Sequence, residues 1–336
     1  MNTVNMQSSF TLIAPDMVRM GSSWKALNAQ IVLLKLEFLP VMAEKLPYLR
    51  ANLSNADSLF RGELTNIMAS LDTSTLSSLD SSQQKVNADS RLTDEQRQQA
   101  TDLLNGQRDR VTTGMTTAIA TGARAMANAT DDLDQINLEV PDTRLPDTLQ
   151  RQIDQLTERD TDLHVLLGEI TEDRRALDET IKNLEKYTLI DLLKEQLPTP
   201  DELELLGATP SEIALIQAGL NRLAKILDKL NSAITYFDLT EQRDKLRKRY
   251  NDVLDESRGL RTDIGKLMAN IEELTELASA AENKTAWVEE ARKAYRSLND
   301  FLKAHDQDAR LSPAFTQNID QLKTYIESFY NIYREL

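Results

Sequence analysis

The sequence contains no cysteine. That removes disulfides, thiolate nucleophiles and cysteine-held metals from consideration. Breakers are scarce as well, with 10 Gly and 9 Pro among 336 residues, so little divides the chain into separate domains. Aromatics make up only 5%. Globular cores draw on aromatics for volume, whereas helical bundles fill theirs with Leu, Ile and Ala. No apolar run approaches the ~20 residues that cross a bilayer, so no constitutive transmembrane helix is expected. Met1 to Ser23 lacks a basic start followed by an apolar stretch, so no Sec signal is visible. Acids outnumber bases 54 to 39, for a net charge of -15. Such a surface repels nucleic-acid phosphates, and no nucleic-acid partner is expected.

Catalytic signatures are missing too. The two histidines, His164 and His305, belong to no HExxH or His-rich cluster. No GxGxxG or GxxxxGK[ST] pattern cradles a phosphate. So many acids guarantee carboxylate pairs by chance, and none stands out as an acid–base couple. No enzyme activity, cofactor or metal site is expected, and no catalytic residue is assigned.

What the chain does have is a doubled heptad series. Leu149, Leu156, Leu163, Ile170, Leu177 and Leu184 stand seven apart. So do Leu239, Leu246, Val253, Leu260, Leu267 and Leu274. A seven-residue apolar repeat keeps one helix stripe facing a partner helix. The pattern predicts an antiparallel hairpin whose arms of about 36 residues reach ~54 Å at 1.5 Å per residue. Asp160 and Arg174 interrupt the second seam of the first arm, and such residues fix register at a cost in stability. The basic run Arg243, Lys245, Arg247, Lys248 and Arg249 reads as a solvated face paired with acids of the first arm. A lipid-headgroup or partner contact is the alternative.

Elsewhere the pattern is helical. Ser22 or Ser23 is placed to cap a helix from about Trp24, and Pro40 and Pro47 are expected to kink or interrupt it. The Ser-rich 70–90 stretch reads as a loop or weak helix. Thr93 and Gln96 form a capping box for a helix to about Asp131. Gly114, Ala118 and Gly122 line one face of that helix, either for tight bundle packing or for membrane contact. The aromatic stretch from Trp287 to Phe329 needs a cover, and the Trp24 helix is the candidate. The expected organisation is a helical tail bundle from 1–148 and 275–336, a coiled-coil neck from 149–186 and 239–274, and a tip from 187–238. The fold class is all-α, an elongated bundle with a long coiled-coil hairpin.

The tip carries the functional expectation. Leu205, Leu206, Ile213, Leu215, Ile216, Leu220 and Leu223 form its apolar face, with Ser211 as an N-cap. Pro198, Pro200, Gly207, Pro210 and Gly219 supply joints. One reading is a small cap that buries its own apolar face. The other is a masked element that inserts into a membrane or docks a partner. Either way, the apolar face is expected to be covered in solution.

Length, helix order, the heptad hairpin and the Pro- and Gly-jointed 187–238 segment together resemble the ClyA-type alpha pore-forming toxins. More narrowly, the chain resembles the B components of the binary alpha-xenorhabdolysin family. That resemblance implies a secreted, soluble monomer that joins a homologous A component in a hetero-oligomeric ring on a target-cell membrane. It also implies that 187–238 rearranges to enter the bilayer. Many ClyA-type proteins carry a hydrophobic tongue of transmembrane length, and this chain has none, which suits a component that depends on its partner. A different class of function, a cytoplasmic coiled-coil scaffold or tether whose tip docks a protein, fits the same pattern.

Overall fold

In the computed structural model, the described residues are 10–186, 199–227, 235–305 and 307–335. They contain helices and connecting turns and no strand. The chain forms two compact units, one of Met1–Asp142 with Glu272–Leu336, the other Thr143–Ile271.

The first unit begins with α1 (Met17–Leu33), seven residues before Trp24. Its cap is Asp16, whose Oδ1 accepts the Arg19 N–H at 2.9 Å, and not Ser22 or Ser23. Helix α2 (Pro40–Ser70) starts on Pro40, where the missing N–H costs nothing. Pro47, the eighth residue of α2, lies inside it without ending it, although it has no N–H to donate to the ladder. The Ser-rich stretch is helical, as α3 (Ser74–Ala88). Its hydroxyls bond back within the helix, Ser78 to the Ser74 carbonyl at 3.0 Å and Ser82 to that of Ser78 at 2.9 Å. Leu76 and Leu79 then bury its inner face, so tertiary packing overrides weak propensity.

Helix α4 (Asp94–Asp134) opens with the expected capping box, at 3.2 Å and 3.0 Å. Of its small-residue face only Gly122 is shown packed on α2, while Gly114 is exposed. A Cβ on Gly122 would lie 2.7 Å from Ile67 Cδ1. The second part of α8 (Tyr236–Ala304) supplies buried Trp287, Val288, Leu298 and Phe301. Buried Lys284 donates to the Asp134 and Ile136 carbonyls, both at 2.8 Å, and so caps the end of α4. After α9 (Gln307–Leu311), Pro313 opens α10 (Pro313–Glu335), whose Phe315, Ile319, Leu322, Ile326 and Phe329 close the core. Trp24 packs half-buried against this core alongside buried Met17, Met20 and Leu27, so α1 is the cover the aromatic stretch requires.

A buried polar knot fastens this unit. Arg108 pairs with Asp80 and donates to Thr316 Oγ1 at 2.8 Å and the Ser312 carbonyl at 2.9 Å. It ties α3, α4 and the start of α10 together.

The second unit is built on α5 (Leu145–Glu185) and the first part of α8. Cross-helix contacts fix their register. Tyr236 Oη donates to Glu185 Oε1 at 2.7 Å, and the Arg174 guanidinium lies 5.5 Å from the Tyr250 ring centre. Asp160 accepts from Ser257 Oγ at 2.5 Å and Arg261 Nε at 3.0 Å. Numbers rise on one helix as they fall on the other, so the pair is antiparallel. Leu167, Ile170, Leu177, Ile181 and Leu184 bury against Leu239, Leu246 and Val253. Asp160 and Arg174 each meet a specific partner across the seam, which is how a polar seam residue fixes register.

Candidate functional site

The site of interest is the α6–α7 part of the second unit. Helix α6 (Pro200–Leu205) starts with a capping box. Thr199 N donates to Glu202 Oε2 at 2.7 Å, and Glu202 N to Thr199 Oγ1 at 3.4 Å. Hydrogen bonds from the Thr199 backbone and hydroxyl hold the Glu202 carboxyl below its usual range. The helix stops in a Schellman turn. Gly207 N donates to the Glu204 carbonyl at 2.9 Å and Ala208 N to that of Leu203 at 3.0 Å. Gly207 takes φ of +84°, the left-handed conformation such a stop demands. Leu203 and Ala208, the two residues the turn brings together, are both buried.

Helix α7 (Pro210–Leu227) follows at once. Its cap is Thr209, not Ser211. Glu212 N donates to Thr209 Oγ1 at 3.4 Å, Thr209 N to Glu212 Oε2 at 3.0 Å, and Pro210 fills the first turn. Along α5 it runs antiparallel, as three pairs show. Lys186 Nζ is 3.6 Å from Glu212 Oε1, Gly219 lies against Thr180, and Arg222 Nε is 2.6 Å from Asp173 Oδ1. Ile216 is completely buried between these pairs, with Ile213 and Leu220 half-buried beside it.

The expectation of a fully covered apolar face therefore needs correcting. Ile213, Ile216 and Leu220 are turned inward. Leu205 (86% exposed), Leu206 (43%) and Leu215 (56%) are not. The cause is geometric. Six-residue α6 turns Leu203 inward and Ala208 follows beyond its stop, and Leu215 stands 100° around α7 from Ile216. Phe237, at the start of α8, is also 70% exposed. Pro198, the Leu223 side chain, and segments 187–198 and 228–234 lie outside the described residues.

Of the joints, Pro200 and Pro210 open helices and Gly207 ends one. Gly219 does something else. Helix α7 runs unbroken through it, and its missing side chain admits Thr180. The basic run also departs from expectation. Lys245 pairs with Glu241 on its own helix at 2.6 Å, and Arg243 with neighbouring Asp244 at 3.5 Å. Arg247, Lys248 and Arg249 are exposed and make no ion pair among the described residues. Sequence reasoning missed the Arg222–Asp173 bridge, for which only the opposite charges gave any signal.

No described helix is long and apolar enough to cross a membrane. No protein-family model matches the sequence, and no curated protein sequence matches it. Solved structures do. PaxB from Photorhabdus luminescens aligns over 97% of this chain and 99% of its own, with a TM-score of 0.79 at 16% identity. This chain has the PaxB fold. XaxB from Xenorhabdus nematophila shares it, over 96% of this chain and 97% of its own, with a TM-score of 0.75 at 16% identity. So does a chain of the YaxAB pore complex, over 96% and 99%, with a TM-score of 0.68 at 17% identity. Likeness at this identity establishes the fold, and the coverage extends it to the α6–α7 region as well as to both helix clusters.

Proposed function

We propose that this chain is the B-type subunit of a two-component pore-forming cytolysin. It is secreted as a soluble monomer and assembles with a homologous A component into a ring on a target-cell membrane. The tail bundle and neck hold the assembly, and the 187–238 segment rearranges to insert. One observation carries this reading: the chain matches PaxB and a chain of the YaxAB pore complex over nearly its whole length and theirs. The half-covered α7 supports it. Leu205, Leu206 and Leu215 present apolar surface, while Ile216 holds the helix down.

The role predicts partner dependence. No described helix spans a bilayer unaided, so the chain alone releases little dye. The test is dye release from phosphatidylcholine–cholesterol vesicles and lysis of red cells, with and without a candidate A component. Release that needs both chains supports the proposal. Efficient release by this chain alone, or none with any A-type chain that does bind it, refutes it.

A further inference from the structure

We infer that Gly219 and Thr180 form the latch that holds α7 closed on α5, and that the tip opens by parting at this point. The inference rests on the proposed pore-forming role and adds the contact that regulates it. Thr180 is buried, and its hydroxyl donates to the Ala176 carbonyl at 2.7 Å. Swinging the hydroxyl away would break that bond. A Cβ on residue 219 would sit 1.8 Å from Thr180 Oγ1 and 3.0 Å from its Cβ. Only glycine admits this approach. By contrast, Gly114, Gly168, Gly259 and Gly265 have nothing within 4 Å of such a Cβ. Among the described side chains of α7, fully buried Ile216 and the ion pairs at Glu212 and Arg222 flank the notch. Much of the rest of the helix faces solvent. The close approach thus sits at the centre of a narrow contact. Where the Thr180 side chain seats against Gly219, the helix is closed; where they part, the inward Ile213, Ile216 and Leu220 become available to lipid.

The chain has no cysteine, so an engineered bridge is the only one possible. The variant Thr180→Cys/Gly219→Cys brings two Cβ atoms to about the 3.5–4.5 Å a disulfide needs, after a small separation of the helices. The bridge should form readily in glutathione buffer. With the A component on the same vesicles, the oxidised variant should release dye at least about tenfold more slowly than the parent, and dithiothreitol should restore release. In the opposite direction, Gly219→Val should speed amide hydrogen exchange across 210–227 by about tenfold or more in the full-length protein, with α4 unchanged as the folding control. If that variant fails to fold, Arg222→Gln should give a smaller acceleration in the same segment. Failure of the bridge to form, an oxidised form that lyses like the parent, or unchanged exchange in α7 overturns the latch. If the parent and the reduced variant both fail to lyse, the pore-forming role falls, and the latch is judged on the exchange data alone.

Discussion

Leu215→Asp separates folding in solution from entry into a membrane. Leu215 is more than half exposed, so its side chain contributes little packing. Exposed substitutions shift stability by about 0.5 kcal/mol, and the lower helix propensity of Asp adds about 0.5 kcal/mol. Melting should fall by no more than about 4 °C. In the bilayer the same carboxylate costs about 2.5–3.5 kcal/mol at a helix centre. At 1.4 kcal/mol per decade, that is about a hundredfold. The assay is dye release at matched dose with the A component, beside a circular-dichroism melt. A hundredfold loss of release with a near-parental melt is expected. Ile216→Asp is the wrong probe for this purpose. Ile216 is fully buried, so the change places an unpaired charge under α7 and costs about 3 kcal/mol or more before any membrane is met. A Leu215→Asp protein that folds, assembles and lyses like the parent would show that this face of α7 stays out of the lipid.

Three further outcomes are expected. Spin labels on Leu163→Cys and Leu260→Cys should report helices whose axes lie about 8–10 Å apart; a separation of several tens of Å would break the hairpin. Arg108→Met strands Asp80 and the Ser312 carbonyl, and should cost about 3–5 kcal/mol in a melt of the full chain. Adding Asp80→Leu should recover part of that loss, and if the double variant is the less stable, the knot does not work as described. Burial alone would raise the Glu290 carboxyl, but hydrogen bonds from Lys293, the Asp16 N–H and Arg19 outweigh it and hold it below its usual range. A depressed acid contributes stability that is complete above its unfolded value of about 4.3 and is lost as pH falls through the lower folded value. Melts from pH 6 to 2 should therefore show a larger acid loss for the parent than for Glu290→Gln; equal losses would refute the assignment.

The helical hairpin was legible because a period of seven leaves few alternatives. The register was legible only in outline, since Asp160 and Arg174 announced that something faced them without saying that it was Ser257, Arg261 and Tyr250. The capping box at Thr93 was readable from four residues, because its physics is local. The Ser-rich α3 was not. Serine's preference for turns is a local signal, and what overrides it, Leu76 and Leu79 in the core and Asp80 on Arg108, comes from residues far away in sequence. Gly219 shows the same limit. In a sequence a helical glycine beside Pro210 and Gly207 reads as a joint. Only the position of Thr180, 39 residues earlier, turns it into a notch. The basic run misled for a related reason. Opposite charges on two arms suggest pairing, but Lys245 and Arg243 find acids on their own helix instead.

In the proposed role the chain faces two opposed demands. Its apolar tip must be hidden well enough to keep the chain dispersed, and weakly enough to be freed on contact. A net charge of -15 and the burial of Leu203, Ala208 and Ile216 serve the first demand. The second follows from how little holds α7. Burying an Ile or Leu completely is worth about 1.5–3 kcal/mol, and among the described α7 side chains only Ile216 is buried to that extent. The ion pairs at Glu212 and Arg222 are partly exposed and contribute at most about 1 kcal/mol each. Shape adds to these, through the glycine that lets the Thr180 side chain seat against the α7 backbone. Shape complementarity is lost abruptly as surfaces part, because dispersion falls away within an ångström or so. A contact of that kind behaves as a catch that is either closed or open, which suits a tip that is to stay closed in solution and open on a membrane.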